Sequence, residues 1–230
     1  MNSPGYLDQF FFGYYPYIAL VVFLVGSLMR FDREQYTWKS DSSQLLRKDQ
    51  LRLGSNLFHL GILGIFFGHL IGLLTPAAVW HAIGLSAPAK QMLAMVAGGI
   101  AGLLCLLGLV ILLNRRLSDP RIRGTSRTMD FVVLVLFLAQ LALGLYSITV
   151  SAQHRDGAEM LKLMDYVQRI ATFRGGAVGL LEDVNWVFRA HLVLGFTIFL
   201  VFPFTRLVHI WSGFASLAYL FRPYQVVRTR

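Results

Sequence analysis

Five stretches of nearly unbroken apolar residues, at 8 to 30, 53 to 75, 91 to 113, 129 to 150 and 187 to 212, alternate with shorter polar segments that hold most of the charge. Each is about 20 residues long, which at 1.5 Å per residue spans a hydrocarbon core of about 30 Å. Inside a bilayer a chain must satisfy its own backbone hydrogen bonds, and the period-two alternation of a barrel strand is absent, so each stretch reads as a helix. The pattern predicts an all-α integral membrane bundle of five transmembrane helices forming a single domain over residues 1–230. Between the fourth and fifth stretches, Met160, Leu163, Met164, Val167, Ile170 and Ala171 recur at helical spacing, with Lys162, Asp165 and Arg169 elsewhere on the turn. That predicts an interfacial helix within the loop 151–186, either a cap over one mouth of the bundle or a contact for a ligand.

Composition agrees: 56% of residues are hydrophobic and 14% charged, and the mean hydropathy is +0.58, beyond what a soluble domain carries. The first apolar stretch lacks a basic leader and is longer than a signal-peptide core, so it is expected to be a retained span. A single cysteine, Cys105, excludes an internal disulfide framework, a thiolate cluster and covalent haem attachment.

The formal charge of +9 would suit nucleic acid, but the basic residues lie in the segments between spans rather than on one soluble face, and no nucleic acid partner is expected. Assigning those segments alternately to two sides places fifteen of the twenty-one Lys and Arg residues on one side. They include Arg30, Arg33, Lys39, Arg47 and Lys48, then Arg115 to Arg127, then Arg206 and the tail. The opposite side has Lys90, Arg155, Lys162, Arg169, Arg174 and Arg189. The positive-inside rule then predicts an outer N-terminus and a cytoplasmic tail at 213–230.

Four of the six histidines lie within apolar stretches: His59 and His69 in the second, His191 and His209 in the fifth. An imidazole in hydrocarbon is costly without partners, and a lone one is commonly an interhelical hydrogen bond. Two on each of two helices, with no acidic residue beside them in either stretch, point to ligation. The second and fifth spans run antiparallel, so His59 is expected to face His209 near the inner end and His69 to face His191 further out. His191 and His209 are eighteen residues apart, five turns and about 27 Å in a straight helix. His59 and His69 are ten apart, about 15 Å and roughly 80° out of register. That mismatch demands tilt or bending, and Pro203 is placed to kink the fifth span. Two imidazoles leave four equatorial positions on a metal, which a porphyrin fills while burying its apolar surface; zinc would want more protein ligands. The expectation is two non-covalent, bis-histidine b haems, closed to oxygen and suited to electron transfer. Gly61, Gly64, Gly68 and Gly72 remove side chains from the second span, for a macrocycle or for close helix packing.

The segments SNLFHLGILGIFFGHLIGLLTP at 55–76 and FRAHLVLGFTIFLVFPFTRLVHIW at 188–211 resemble the cytochrome b (gamma) subunit of bacterial respiratory nitrate reductase. The likeness extends to FFFGYYPYIALVVFLVGS at 10–27, QYTW at 35–38, AKQMLAMVAGG at 89–99 and SAQHRDGAEMLKL at 151–163. It implies that His59 and His209 bind the haem nearer the cytoplasm and His69 and His191 the outer one. It further implies a chain in the bacterial cytoplasmic (inner) membrane that oxidises menaquinol or ubiquinol on the outer side. Electrons then pass inward to an iron–sulfur subunit and a molybdenum catalytic subunit that reduces nitrate. Rival expectations are a b subunit of another quinol-linked complex, or a haem-free transporter or anchor.

Lys90 opens the third span and matches the lysine that this family uses at its quinol site, where it would hydrogen-bond a quinol oxygen. On the sequence alone it would snorkel to lipid headgroups. Gly68 and Gly72, flanking His69, would let the quinone ring approach. Arg115 and Arg116 close the third span near the inner haem, and Arg116 is the candidate partner for a haem propionate, the bland alternative being a topology signal. His81 and His154 are expected in solvated loops, as are Asp156 and Glu159, and Trp38, Trp80 and Trp211 in an interfacial aromatic belt.

Overall fold

The structure, a computed structural model, describes residues 5–34, 46 and 48–212. The QYTW motif with Trp38, residues Lys39 and Arg47, and the tail 213–230 lie outside them. Among the described residues there are helices and turns and no strand. Five helices are long and apolar enough to cross a membrane, as the hydropathy pattern predicts. They are α1 (Tyr6–Arg33), α2 (Lys48–Leu74), α4 (Ala87–Ser118) and α6 (Thr128–Ser151), then α8 (Trp186–Val201), whose membrane-crossing stretch extends through a 3₁₀ turn to Phe204. Three shorter helices join them: α3 (Ala77–Ala82), α5 (Pro120–Gly124) and α7 (Ala158–Ala171).

Local chemistry sets several of these boundaries. Ser86 caps α4 by accepting from Ala89 N at 3.4 Å, with Pro88 in the first turn where no N–H is required. Asn185 caps α8 by accepting from Val187 N at 3.1 Å. At the start of α6, the Asp130 carboxylate accepts from Arg127 N at 3.0 Å.

The spans pack in a chain: α2 on α4, α4 on α6, α6 on α8 and α8 on α1. Glycines set the closest contact. A Cβ on Gly61 would stand 2.4 Å from Cys105 N, and one on Gly108 would stand 2.3 Å from Phe58 N, so α2 and α4 touch backbone to backbone. Leu109, Cys105 and Leu141 then form an apolar cluster between α4 and α6. The return side is different: α2 does not pack closely against α8, and α2, which carries His59 and His69, faces α8 with His191 and the segment after it with His209 across a gap.

The fifth apolar stretch departs from the sequence expectation of one helix through residue 212. Helix α8 stops at Val201, and 3₁₀ turns at Phe202–Phe204 and Arg206–Val208 flank an extended Thr205 (φ −120°, ψ 177°). Pro203 supplies the physical reason, since its ring excludes the next helical hydrogen bond. Arg30 Nη1 fills the break, donating to Pro203 O and Thr205 O at 2.7 Å each.

One end of the bundle is closed by α7, whose buried face presents Met164, Tyr166 and Ile170. Its straps are polar. Tyr166 OH donates to Phe12 O at 3.0 Å, and burial pushes that hydroxyl's pKa up, keeping it a donor. Tyr17 OH donates to Ile170 O at 3.2 Å, and Gln168 Nε2 to Leu73 O at 2.9 Å at the end of α2. Gly157, at φ +80°, turns the chain into α7, and its N–H donates to Gln91 Oε1 at 2.8 Å. A Cβ there would lie 2.8 Å from the Ala87 carbonyl carbon, so both the dihedral and the space require glycine.

Candidate functional site

Across the gap between α2 and the α8 segment, the histidines pair as their order along two antiparallel helices predicts. The ring centroids of His69 and His191 are 6.2 Å apart near the α7-capped end. Those of His59 and His209 are also 6.2 Å apart, near the opposite, arginine-rich end. A metal–imidazole bond of about 2 Å on each side, plus roughly 1 Å from nitrogen to ring centre, puts two axial imidazoles about 6 Å apart. Both pairs meet that spacing. The two rings are inclined by 33° in the first pair and by 72° in the second.

Hydrogen bonding fixes the tautomers. His59 Nδ1 meets Ser55 O at 2.7 Å, His69 Nδ1 meets Ile65 O at 2.8 Å, and His209 Nδ1 meets Arg206 O at 2.6 Å. A carbonyl can only accept, so in each case Nδ1 carries the proton and Nε2 keeps its lone pair, the form that binds a metal. His191 reaches the same tautomer by another route. Its Nε2 lies 3.2 Å from the Gln140 amide nitrogen, which can only donate, while its buried Nδ1 has no hydrogen-bond partner among the described residues. Gln140 Nε2 also donates to the His191 carbonyl at 3.2 Å. A Cβ on Gly144 would stand 3.1 Å from His191 Cε1, so α6 presses directly on this ring.

Among the described residues no group of three or more His, Cys, Asp or Glu side chains is gathered as a metal cage. The donor set is two neutral imidazoles per site, one from each side of a gap. That suits a planar group supplying its own four equatorial donors, and it is too few for tetrahedral zinc.

The glycines of α2 divide into two classes. Gly61 and Gly64 face α4, the latter with Ala101 Cβ 3.2 Å from where its own Cβ would stand. Gly68 and Gly72 have nothing within 4 Å of an added Cβ. The packing explanation therefore holds for the first pair and fails for the second.

Lys90 does not snorkel. It is 6% exposed, and its ammonium donates to Gly72 O at 2.6 Å and to Met164 Sδ, 5.1 Å from the centre of the Trp80 ring. Gly72 O is one of the last four carbonyls of α2, so the lysine caps that helix from outside. A small recess beside it is lined by Trp80, His81, Leu85, Leu161 and Met164. The interfacial helix thus serves as a cap and also reaches this recess through Met164. His81 is exposed, as expected, and lines the same recess.

At the other end, Arg116 Nη1 donates to Asp130 Oδ2 at 2.8 Å and to Ser126 Oγ at 3.0 Å. Arg206 binds the same carboxylate through two nitrogens at 2.6 Å each. Gln140 and Asp130 are not named by the sequence reading, which takes Arg206 only as a topology signal and Met164 only as part of the apolar face of the interfacial helix. The first two carried a signal of function, being the carboxylate and the amide of a largely apolar fourth stretch. Arg206 and Met164 carried none, because their roles depend on segments folding back.

A bundle of helices long and apolar enough to cross a membrane, with two imidazole pairs across an interhelical gap, defines the class: a helical membrane protein with two two-imidazole donor sets. The chain belongs to the nitrate reductase gamma subunit family, whose description matches residues 8–230. It is 53% identical over 225 residues to the respiratory nitrate reductase 1 gamma chain of Escherichia coli K12, covering 98% of this chain and 99% of that one. The nitrate reductase 2 gamma chain of the same organism is 54% identical over 225 residues, 98% of each chain. The nitrate reductase gamma chain of Bacillus subtilis is 38% identical over 222 residues, 96% of this chain and 98% of that one.

Proposed function

We propose that this chain is the dihaem cytochrome b subunit of a respiratory nitrate reductase in the bacterial cytoplasmic membrane. It takes electrons from menaquinol or ubiquinol on the outer side and delivers them inward to an iron–sulfur subunit. Nitrate is reduced further on, at a molybdenum subunit. The observation that carries this reading is the matched pair of imidazole couples, each 6.2 Å between ring centres, with one helix of each couple held by its neighbours rather than by its partner.

In this reading His69 and His191 hold the outer haem and His59 and His209 the inner one. Haem b bound by two imidazoles supplies one-electron transfer with no coordination position left for oxygen. For His59, His69 and His209 the Nδ1–H bonds to backbone carbonyls orient the rings and raise the basicity of Nε2. Lys90 offers the quinol a charge-assisted donor: of its three N–H bonds, Gly72 O and Met164 take two, leaving one for a quinol oxygen. Gly68 and Gly72 leave the flank of His69 open to a flat ring. Quinol oxidised at the α7-capped end releases its two protons to the outer side. Arg115 and Arg116 lie with the basic loops of the inner side, where the iron–sulfur subunit docks, the N-terminus being on the outer side and the C-terminus cytoplasmic. Arg116 is held there by Asp130 and Ser126 and is the candidate for a propionate contact.

The test is a pyridine haemochrome assay on purified complex. Two non-covalent b haems per chain are expected, and fewer than one in fully loaded protein would overturn the reading.

A further inference from the structure

His209 is the one candidate ligand of the four that sits outside a membrane-crossing helix. It follows the break at Pro203, where the backbone runs through an extended residue and a 3₁₀ turn, so no continuous ladder of helical hydrogen bonds fixes it. Its own backbone N–H turns back to Arg206 O, and side-chain chemistry adds a second hold. Its Nδ1–H is received by Arg206 O at 2.6 Å. The side chain of the same Arg206 is clamped by Asp130, Nε to Oδ1 and Nη2 to Oδ2 at 2.6 Å each. Asp130 is 5% exposed and is itself held in the first turn of α6 by Arg127 N at 3.0 Å and Arg116 at 2.8 Å. The clamp is a two-point fork, which fixes direction as well as distance.

We propose that Asp130 is a positioning residue for the inner haem: through the Arg206 fork it anchors the backbone carbonyl that orients and polarises His209. The proposal rests on the reading of His59 and His209 as ligands. A ring whose N–H is firmly accepted donates more strongly to iron and favours the oxidised state. Loosening the carbonyl therefore raises the midpoint potential of the inner haem. It leaves the outer one, held by His69 and His191 and contacted by Gln140 instead, as it was.

Two variants of the full complex test this. Asp130→Asn removes one arm of the fork and the charge; Arg206→Lys keeps the net charge of the cluster and removes only the two-point geometry, so a shift in the second reports positioning. The expected result is that at a fixed solution potential the reduced-to-oxidised ratio of the inner haem rises about tenfold, about 59 mV for a one-electron couple. An altered low-spin signal at that haem should accompany it, with outer-haem potential and content unchanged. Asp130→Glu should return part of the shift. If Asp130→Asn does not accumulate, Arg206→Lys decides. An inner haem with wild-type potential and signal in Arg206→Lys overturns the inference even where thermal stability falls, since a merely structural ion pair would behave that way. A wild-type complex lacking two b haems would instead sink the reading beneath it.

Discussion

Replacing Lys90 by methionine isolates the contribution of its ammonium. The lysine is 6% exposed, so truncation to alanine would add a cavity to whatever chemistry it removes. Methionine fills a similar volume, and the difference is then the donor itself. In the resting protein the change costs the bond to Gly72 O at 2.6 Å and the charge 5.1 Å from the Trp80 ring. The first lies at the end of α2 and the second against α3, neither at the histidines, so both haems should remain bound. At the site, loss of a charged hydrogen bond to quinol is worth about 1.5 to 3 kcal/mol, a weakening of roughly ten- to over a hundredfold. The assay follows haem reduction by a quinol analogue and reoxidation by nitrate in the same membranes. Slow reduction at limiting quinol with normal reoxidation is expected, and Lys90→Ala should do the same with some added loss of stability. Wild-type reduction in Lys90→Met, with the protein fully loaded, would remove the lysine from the quinol site and leave it a helix cap.

Substitution of His69 or His191 by alanine should abolish one and the same spectral component, and of His59 or His209 the other; loss of a shared component from His59 and His191 would break the pairing. Gly61→Ala should destabilise the bundle by about 1 to 3 kcal/mol or more, since the new methyl meets backbone at 2.4 Å, whereas Gly72→Ala should leave thermal stability unchanged and slow quinol oxidation. Crosslinkers placed in the loop 119–127 should capture the iron–sulfur subunit; capture from the loop 151–186 alone would reverse the proposed sidedness.

Most of the architecture was legible because it depends on periodicity and solvent. The five spans, the interfacial helix and the order of the histidine pairs follow from hydropathy, helical spacing and antiparallel neighbours, and they need no tertiary information. What was not legible depends on contacts between distant segments. The orientation of Lys90 is one case: a lysine at a span end ordinarily reaches for headgroups, and only the arrival of Met164 and the C-terminal carbonyls of α2 turns it inward. Arg116 is another. Its place beside the basic loops was clear, but Asp130 and Ser126 as its partners required α5 to fold the chain back between α4 and α6. Gln140 was visible as a polar residue in mid-span, yet nothing in spacing alone aims it at His191 rather than at another helix.

The break in α8 falls between the two histidines whose spacing poses the register problem. Helix α2 is continuous from Lys48 to Leu74, so His59 and His69 are held about 15 Å apart along its axis, with no freedom to adjust. A helix continuing through residue 209 would set His191 and His209 about 27 Å apart, nearly twice that separation, and the two pairs could not both face squarely across the gap. Bending α2 would disturb its contact with α4, where Gly61 and Gly108 already bring backbone against backbone. The adjustment falls instead on the end of α8. Pro203 ends the helix, Thr205 extends, and His209 comes to the same 6.2 Å from its partner as His191 does from its own. Freed from the helix, that segment exposes carbonyls that must be satisfied. Arg30 takes those of Pro203 and Thr205, and His209 takes that of Arg206. The basic residues that hydropathy alone assigns to orientation are therefore also what holds the inner ligand once the helix has given it up.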